Sequence, residues 1–575
     1  MLNGRLITAL MLGAALMYLA LFVPRGWIPH DEGMIGQSAE RVLLGGTPHV
    51  DYQEPYTGGL TLLYASVFKI AGIDLLNLRW LLWAGASLAL VAMYAILRRY
   101  LPAVGVAFVT WVGLAWSFPN YFAGLPSWWV LICALGCLWA FVRFVETEHL
   151  MYAALAGVAA GLAILVKQTG LYLLIALVMS LLYESGGGIW RVGRIAVAIA
   201  AAGLAIAILS SRLALAEVLY LLLPIVACSR VLLTASGSPS GTFAPAVAVA
   251  AAALPIAAFL VPYVIHGHVG SFVQGAFVLP QKRLVFASMS MPSAGFILTG
   301  LPLVSLVMPL PRMWPSAPKI HLVVLPWVAA LTLSIASLYQ TASYQMVWQS
   351  ARAFTALLPL AIGWLLISGR VPDSKQRRLL FGFASMLDWA SLVQFPFSPA
   401  IYFCYVTPLA AIAAAAAAAN SGSLARHALV AWAALLLAFG VAVMNRGYIY
   451  NLGYEHDLYA LNDELNLPRA HFRVSKTDAL MYQRIVFLIS NHLEGGRLVA
   501  GPDCPEVYFL AGYVNPSGTL FDFFSNSDTD WAGAQIVVLN HRPAFSAELA
   551  PAFLSEMRRL FPKWQPVGHF EVRWR

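Results

Sequence analysis

Charge is what this sequence has least of. Of its 575 residues only 11% are Asp, Glu, Lys or Arg, while 60% are hydrophobic. A soluble globular chain is nearer a quarter charged and half apolar. The surplus is too large to be absorbed by a bigger core, because the buried fraction grows slowly with size. Cysteine is also scarce. Of five, Cys133 and Cys137 stand one helical turn apart in an apolar run, Cys228 and Cys404 lie in or beside apolar runs, and Cys504 is alone in the tail. That argues against a disulfide framework, and the lack of paired C-x-x-C spacing argues against structural zinc. No G-x-G-x-x-G or P-loop fingerprint is present, so nucleotide binding in the tail has no support. There is no internal repeat. There is also no basic stripe with interleaved aromatics of the kind that tracks nucleic acid, so the formal charge of +9 belongs to membrane topology and not to a nucleic-acid partner.

What is present is a series of apolar blocks of spanning length from Leu6 to about Met444. The sequence therefore predicts an all-α polytopic membrane region over 1–444 and a small soluble α/β domain over 445–575. Arg5 and the run to Val23 read as a signal anchor, since no small-x-small cleavage site precedes Pro24. Residues 24–77 form a polar loop with two amphipathic helix candidates, Met34–Leu44 and Leu60–Ile70, suited to the membrane surface. Further spans fall near 78–97, 103–118, 127–145, 150–166, 170–183, 195–210, 213–229, 243–264, 293–310, 321–338, 353–369, 379–395, 400–418 and 428–444. At ~20 residues or somewhat fewer each, that makes about fifteen with the first.

If the N-terminus is cytoplasmic, the cytoplasmic ends hold Arg98, Arg99, Arg143, Arg191, Arg194, Arg230, Arg312, Lys319, Arg370, Lys375, Arg377, Arg378 and Arg426. That is the asymmetry the positive-inside rule requires. The same alternation puts 24–77, 118–126, 167–169, 265–292, 339–352, 396–399 and the tail outside an inner (plasma) membrane. In the tail, the runs Leu498–Ala500 and Gln535–Leu539 read as strands, and Ala479–His492 and Ser546–Arg559 as helices, which together suggest a small α/β domain.

Chemistry points to the first loop. His30-Asp31-Glu32 places two adjacent carboxylates just beyond the first span, where an acid could deprotonate an acceptor hydroxyl or hold a divalent cation. The plainer alternative is a pair of acids starting the helix over 33–44, since negative charge favours a helix N-terminus. Lys167-Gln168-Thr169 sits between two apolar runs. A lysine there is costly in lipid and by default a functional candidate, able to hold a phosphate as a point charge; the alternative is a snorkelling interfacial lysine. Gln281-Lys282-Arg283 and Arg352 are further phosphate candidates, the arginines through their planar fork, or else a solvated loop charge and an interfacial anchor. His266 and His268 lack a third ligand and make a weak metal signal. Trp128-Trp129 suits an aromatic belt or a sugar face. Tyr402, beyond Phe395-Pro396-Phe397-Ser398-Pro399, is a minor candidate for a hydrogen bond to substrate. Asp503 is most simply a turn or cap residue.

The string Ile28-Pro29-His30-Asp31-Glu32-Gly33, then Ala39-Glu40-Arg41-Val42-Leu43-Leu44-Gly45-Gly46-Thr47-Pro48, Asp51-Tyr52 and Glu54-Pro55-Tyr56-Thr57-Gly58-Gly59-Leu60 before Leu62-Leu63-Tyr64, resembles the first external loop of GT-C glycosyltransferases. The nearest likeness is to bacterial members related to protein O-mannosyltransferases and the lipid A aminoarabinose transferase. It covers about the first hundred residues. The resemblance implies that Asp31 is the catalytic base with Glu32 beside it. It also implies that His30, Glu54 and Tyr56 of this loop, and the Lys167-Gln168 pair, face a lipid-linked sugar; Lys282, Arg283, Arg352 and Tyr402 are further candidate substrate contacts on their own chemistry. One departure concerns the second loop, 118–129, which has no Asp or Glu, whereas many GT-C members carry a second acid there. A two-carboxylate metal site is therefore not expected, although Asp31, Glu32 and Glu54 leave a divalent cation open.

The expected activity is transfer of a sugar from a polyprenyl-phosphate donor to a lipid, glycan or protein acceptor at the external (periplasmic) face, by an inverting displacement. The rival readings are a lipid or amphiphile transporter (a flippase) and a non-catalytic assembly subunit.

Overall fold

The structure is a computed structural model, and it describes residues 4–183, 188–235, 243–282, 288–308, 328, 331–337, 339–446, 461–493, 495–520, 522 and 530–575. The chain is mostly helical, with a small α/β region at its C-terminal end. Among the described residues eight helices are long and apolar enough to cross a membrane: Leu75–Leu97, Ala103–Tyr121 with its 3₁₀ extension, Pro126–Thr147, Trp190–Arg212, Leu215–Thr234, Ala244–Ile265, Ala342–Ile367 and Ser423–Ala442. Shorter apolar helices include Leu6–Ala20, Leu150–Val166 and Gly170–Leu182. The expected span at 321–338 lies largely outside the described residues, as do Arg283, Arg312 and Lys319.

The first eight helices carry the site: α1 (Gly4–Ala20), α2 (Pro29–Leu43), α3 (Gly59–Ala71), α4 (Leu75–Leu97), α5 (Ala103–Ala115), α6 (Pro126–Thr147), α7 (Leu150–Val166) and α8 (Gly170–Leu182). α4 begins at Asp74, whose side chain accepts the Leu76 N–H, and runs to Arg98. The two ends of the bundle differ chemically. At the far end of α4 and α6, Arg99 and Arg143 pair with Glu146, Arg378 pairs with Glu148, and Lys375 reaches the Glu146 carbonyl at 3.2 Å. The other end holds Asp31, Tyr121, Ser127 and Lys167.

The first loop departs from expectation. α2 starts at Pro29, five residues before Met34, because proline suits a first helical turn and Asp31 and Glu32 favour it electrostatically. It does not lie on a membrane surface: every residue from Glu32 to Arg41 is buried. The reason is Gly33 and Gly36. A Cβ at Gly33 would overlap the Glu506 backbone, and one at Gly36 would sit 2.7 Å from the Phe509 ring. Two glycines one turn apart thus let the tail helix Pro505–Ala511 lie directly on α2.

The tail builds two sheets. β1 (Asp463–Glu464) and β2 (Arg473–Val474) pair antiparallel. β3 (Leu498–Gly501), β4 (Ile536–Asn540), β5 (Lys563–Val567) and β6 (Phe570–Trp574) form a sheet in the order β3-β4-β6-β5, with β3 and β4 parallel and the other pairs antiparallel. Helices Lys476–His492 and Pro551–Leu560 pack beside it. The tail is clamped to the first loop by backbone and side chain alike. Gly26 N–H donates to Arg473 O at 2.8 Å and Leu75 N–H to Arg469 O at 3.0 Å. Arg469 pairs with Glu40 at 2.8 Å, Arg41 donates to Asn515 O at 2.6 Å and Ser517 O at 2.8 Å, and Gln37 bonds Tyr513 O at 2.9 Å.

Glu506 lies in that interface. Its Oε1 accepts from Tyr482 at 3.4 Å, while Oε2 has no hydrogen-bond partner among the described residues. Burial holds its carboxyl neutral up to about 8. An unfolded Glu ionises near ~4.3, so between those values the folded chain keeps a proton the unfolded chain has shed. Stability therefore falls as pH rises through that window, and the loss is complete above about 8. Glu506→Gln is expected to flatten this slope in thermal unfolding of the full chain between pH 5 and 9. Equal slopes in wild type and variant would contradict it.

Candidate active site

Asp31 sits in the first turn of α2, and its Oδ2 accepts a hydrogen bond from Tyr121 Oη at 2.6 Å. Tyr121 ends the 3₁₀ turn Phe118–Tyr121 of the second loop. The loop that lacks an acid thus supplies a phenol, which sequence reasoning missed because it looked for a carboxylate there. Asp31 Oδ1 lies 3.9 Å from His30 Nε2, and both side chains are partly exposed, at 19% and 26%.

Glu32 is differently engaged. Arg79 grips it with two bonds, Nε to Oε1 at 2.7 Å and Nη2 to Oε2 at 2.6 Å, and Oε2 also accepts the Ile28 N–H at 2.9 Å. Arg79 is fully buried, donates to Val23 O and Arg25 O at 3.1 Å each, and lies 4.0 Å over the Phe472 ring. This geometry gives Glu32 a structural task, tying α1, α2, α4 and the tail together. Sequence reasoning passed over Arg79; the signal that marks it is an arginine in the first turns of a span, where charge demands a partner.

Lys167 is the first residue past α7, where the backbone turns extended. Its Nζ donates to Ser127 Oγ at 2.8 Å and stands 5.7 Å from the Tyr56 ring centre and 5.5 Å from that of Tyr402. Two aromatic faces and a hydroxyl surround the ammonium, an arrangement that favours a cation where little water reaches it. The first loop is brought here by Thr57, which donates to the carbonyls of Ile164 at 2.8 Å and Leu165 at 2.6 Å, the otherwise unsatisfied end of α7.

Asp31 and Lys167 are linked through one short element. Trp128 Nε1 donates to Tyr121 O at 2.8 Å, and its neighbour Ser127 holds Lys167. Tyr405 packs edge-on against Trp128 at 4.4 Å and against Tyr402 at 5.5 Å, within electrostatic reach of Asp31 and Tyr56. Asp31, Tyr121, Tyr56, Tyr402, Tyr405 and Lys167 thus form one polar cluster roofed by aromatic rings.

Glu54 is buried behind it. It accepts from Ser38, from Thr61 at 3.0 Å and from the Tyr56 N–H at 3.2 Å, and lines a cavity of about 260 Å³ with Tyr56, Pro126 and Val166. Among the described residues no three His, Cys, Asp or Glu side chains group closely enough to hold a metal ion. His49 is buried beside Glu54's loop, and burial pushes its imidazole down to about 4.

The remaining candidates spread outward. Gln168 donates to Ala276 O at 2.6 Å, pinning the 269–278 helical turns to the start of α8. Lys282 ends the 3₁₀ turn Leu279–Lys282. Arg352 belongs to a neighbouring cluster. Its Nη2 donates to Gln394 at 3.1 Å, to Ser398 O at 3.3 Å and to Ser398 Oγ. Beside it opens an apolar groove of about 670 Å³, lined by Val109, Trp116, Ala351, Thr355, Phe403 and Leu436 among others. The helix Ala400–Cys404 divides the two regions, with Tyr402 at Lys167 and Phe403 in the groove.

No family model matches the sequence, and no characterised protein is significantly similar to it. Among solved structures, the chain is similar to the Archaeoglobus fulgidus oligosaccharyltransferase in its apo form, with a TM-score of 0.42 and 13% identity over 88% of this chain and 64% of that one. The same enzyme tethered to an acceptor peptide containing the NVT sequon gives a TM-score of 0.36 and 13% identity over 92% and 69%. This chain thus spans just under two thirds of the apo structure's length. A likeness this distant carries no functional argument.

Proposed function

We propose that the chain is a GT-C type glycosyltransferase that moves a sugar from a polyprenyl-phosphate donor onto an acceptor hydroxyl at the Asp31 end of the bundle, which is then the external, periplasmic face. The observation that carries this reading is the continuity from Asp31 through Tyr121 and Ser127 to Lys167. It joins a carboxylate to a cation in a largely buried site at the head of apolar helices. A lipid-linked phosphate ester needs all three: hydrocarbon for its tail, positive charge for its phosphate and a base near its sugar.

In this reading the acceptor oxygen attacks the anomeric carbon while its proton passes to Asp31. The carbon–oxygen bond to phosphate breaks, its electron pair stays on the phosphate oxygen, and Lys167 stabilises that charge. Tyr121 holds the Asp31 carboxylate in place. The apolar groove beside Arg352 suits the prenyl tail. Nothing in the step requires a metal, and none is assigned.

One observation favours the transporter reading. Asp388 is buried in the helix Ser374–Ser391, its Oδ2 without a partner among the described residues, and an intramembrane acid often marks a translocation path. Lys167→Ala tests the phosphate site that both readings share. Losing a charged hydrogen-bond donor is worth roughly 1.5–3 kcal/mol, so a fluorescent polyprenyl phosphate is expected to bind roughly tenfold to a hundredfold more weakly. Unchanged binding would remove Lys167 from the phosphate site.

A further inference from the structure

The tail reaches the candidate base through the loop that begins at Asp503. Asp503 is buried at 2% exposure and adopts the left-handed conformation at φ +53°, more than a turn residue needs. Its Oδ2 accepts the backbone N–H groups of Phe545 at 2.9 Å and Ser546 at 2.6 Å, and its Oδ1 accepts Ser546 Oγ at 2.9 Å and Asp522 N–H at 3.1 Å. Asn540, at the end of β4, ties the same loop down by bonding Pro502 O and the Arg542 N–H, each at 2.9 Å. A carboxylate accepting this many donors fixes the backbone at 545–546. That places the Phe545 ring edge-on to His30 at 5.5 Å, and His30 is the residue beside Asp31, 3.9 Å from its Oδ1.

The order in space therefore runs from the tail (Asp503, Phe545) through His30 to Asp31, and from Asp31 to Tyr121 and the membrane helices. Tyr121 fixes one oxygen of Asp31. The other oxygen lies 3.9 Å from His30 Nε2.

We propose that Asp503 is a positioning residue for Asp31. By holding Phe545 against His30, it makes the tail one wall of the site and fixes the side from which an acceptor approaches the base. The inference rests on the reading of Asp31 as base. Catalysis is sensitive to small displacements, with about 1 Å costing as much as ~10²-fold, so a loosened wall is expected to lower turnover without touching the phosphate subsite.

The test uses the full chain and three variants, Asp503→Asn, Phe545→Ala and Phe545→Tyr. Asparagine keeps the size of Asp503 but turns an NH₂ toward N–H donors. The first measurement needs no substrate: the rate at which diethylpyrocarbonate modifies His30 at neutral pH, followed by peptide mass spectrometry. A several-fold rise is expected in Asp503→Asn and Phe545→Ala, with the wild-type rate restored in Phe545→Tyr. The second is transfer from a labelled polyprenyl-phosphate sugar. There, turnover is expected to fall roughly tenfold to a hundredfold in the same two variants, with donor KM unchanged and Phe545→Tyr near wild type. If Asp503→Asn does not fold, Phe545→Ala carries the test. His30 modification that stays at the wild-type rate, or turnover that stays normal while modification rises, overturns the proposal. A wild-type chain that transfers no sugar overturns the transferase reading instead.

Discussion

Asp31→Asn is expected to lower sugar transfer by ~10²–10⁴-fold, the usual worth of a general base, while leaving donor binding nearly unchanged. Asparagine keeps the volume of the side chain and can still accept the Tyr121 hydrogen bond now found at 2.6 Å, so the cluster should hold its shape. What it loses is the capacity to take the acceptor proton. The contrast with Lys167→Ala is the useful part. One variant fails in the chemical step and the other in holding the lipid phosphate, because the two side chains meet different ends of the same donor–acceptor pair. Turnover and donor affinity measured side by side on purified protein check both. Full turnover by Asp31→Asn would reduce Asp31 to a helix-starting acid.

Arg79→Ala is expected to destabilise the fold more than any other single change considered. The Arg79–Glu32 pair is bidentate and shielded from water, with the two side chains 0% and 3% exposed. Removing one member of such a pair strands the other charge in a medium that cannot solvate it, at about 3–5 kcal/mol. The variant would also orphan the carbonyls of Val23 and Arg25, both bonded to Arg79 at 3.1 Å, and remove the guanidinium that covers Phe472. Glu32→Gln should be milder, since an amide oxygen can still accept from Arg79. The expected result is a large drop in thermal stability and in yield for Arg79→Ala, with Arg79→Ala/Glu32→Leu partly recovered because no isolated charge remains. If the double variant were as unstable as the single one, the stranded carboxylate would not be the cause.

Much of the fold was legible because lipid imposes a simple rule: apolar runs of spanning length become helices. Periodicity also placed α3 to within a residue at each end, the tail helix Lys476–His492 apart from its first three residues, and the strands at 498 and 536. It misjudged α2 because amphipathicity says that one face is polar, not what the polar face meets. Here Glu40, Arg41 and Gln37 meet the tail through specific hydrogen bonds, and only the three-dimensional neighbourhood of Gly33 and Gly36 reveals it. The β5–β6 hairpin was missed because Pro566 interrupts its first strand; the proline is tolerated because β5 is the edge of the sheet.

The site was partly legible for a related reason. Asp31 and Lys167 announce themselves as charges at the margins of apolar sequence. Tyr121, Ser127 and Tyr405 do not, since a tyrosine or serine near a span is ordinary and acquires a role only from what lies opposite. Glu32 illustrates the converse. It is an acid at the adjacent position to Asp31, and Arg79, 47 positions away, is what marks it as a carboxylate locked in an ion pair, where Asp31 meets a tyrosine.

The central claim is that this cluster breaks the sugar–phosphate bond and does not merely carry a lipid. A polyprenyl-phosphate sugar bearing one label in the sugar and another in the phosphate, presented in vesicles containing the purified chain and a membrane extract as acceptor source, tests it directly. The expected result is that the labels part company. The sugar label should move to a new acceptor while the phosphate label stays with the prenyl chain, and with Asp31→Asn both labels should stay together on the lipid. Labels that remain joined, whether the lipid stays put or crosses the bilayer intact, would contradict it.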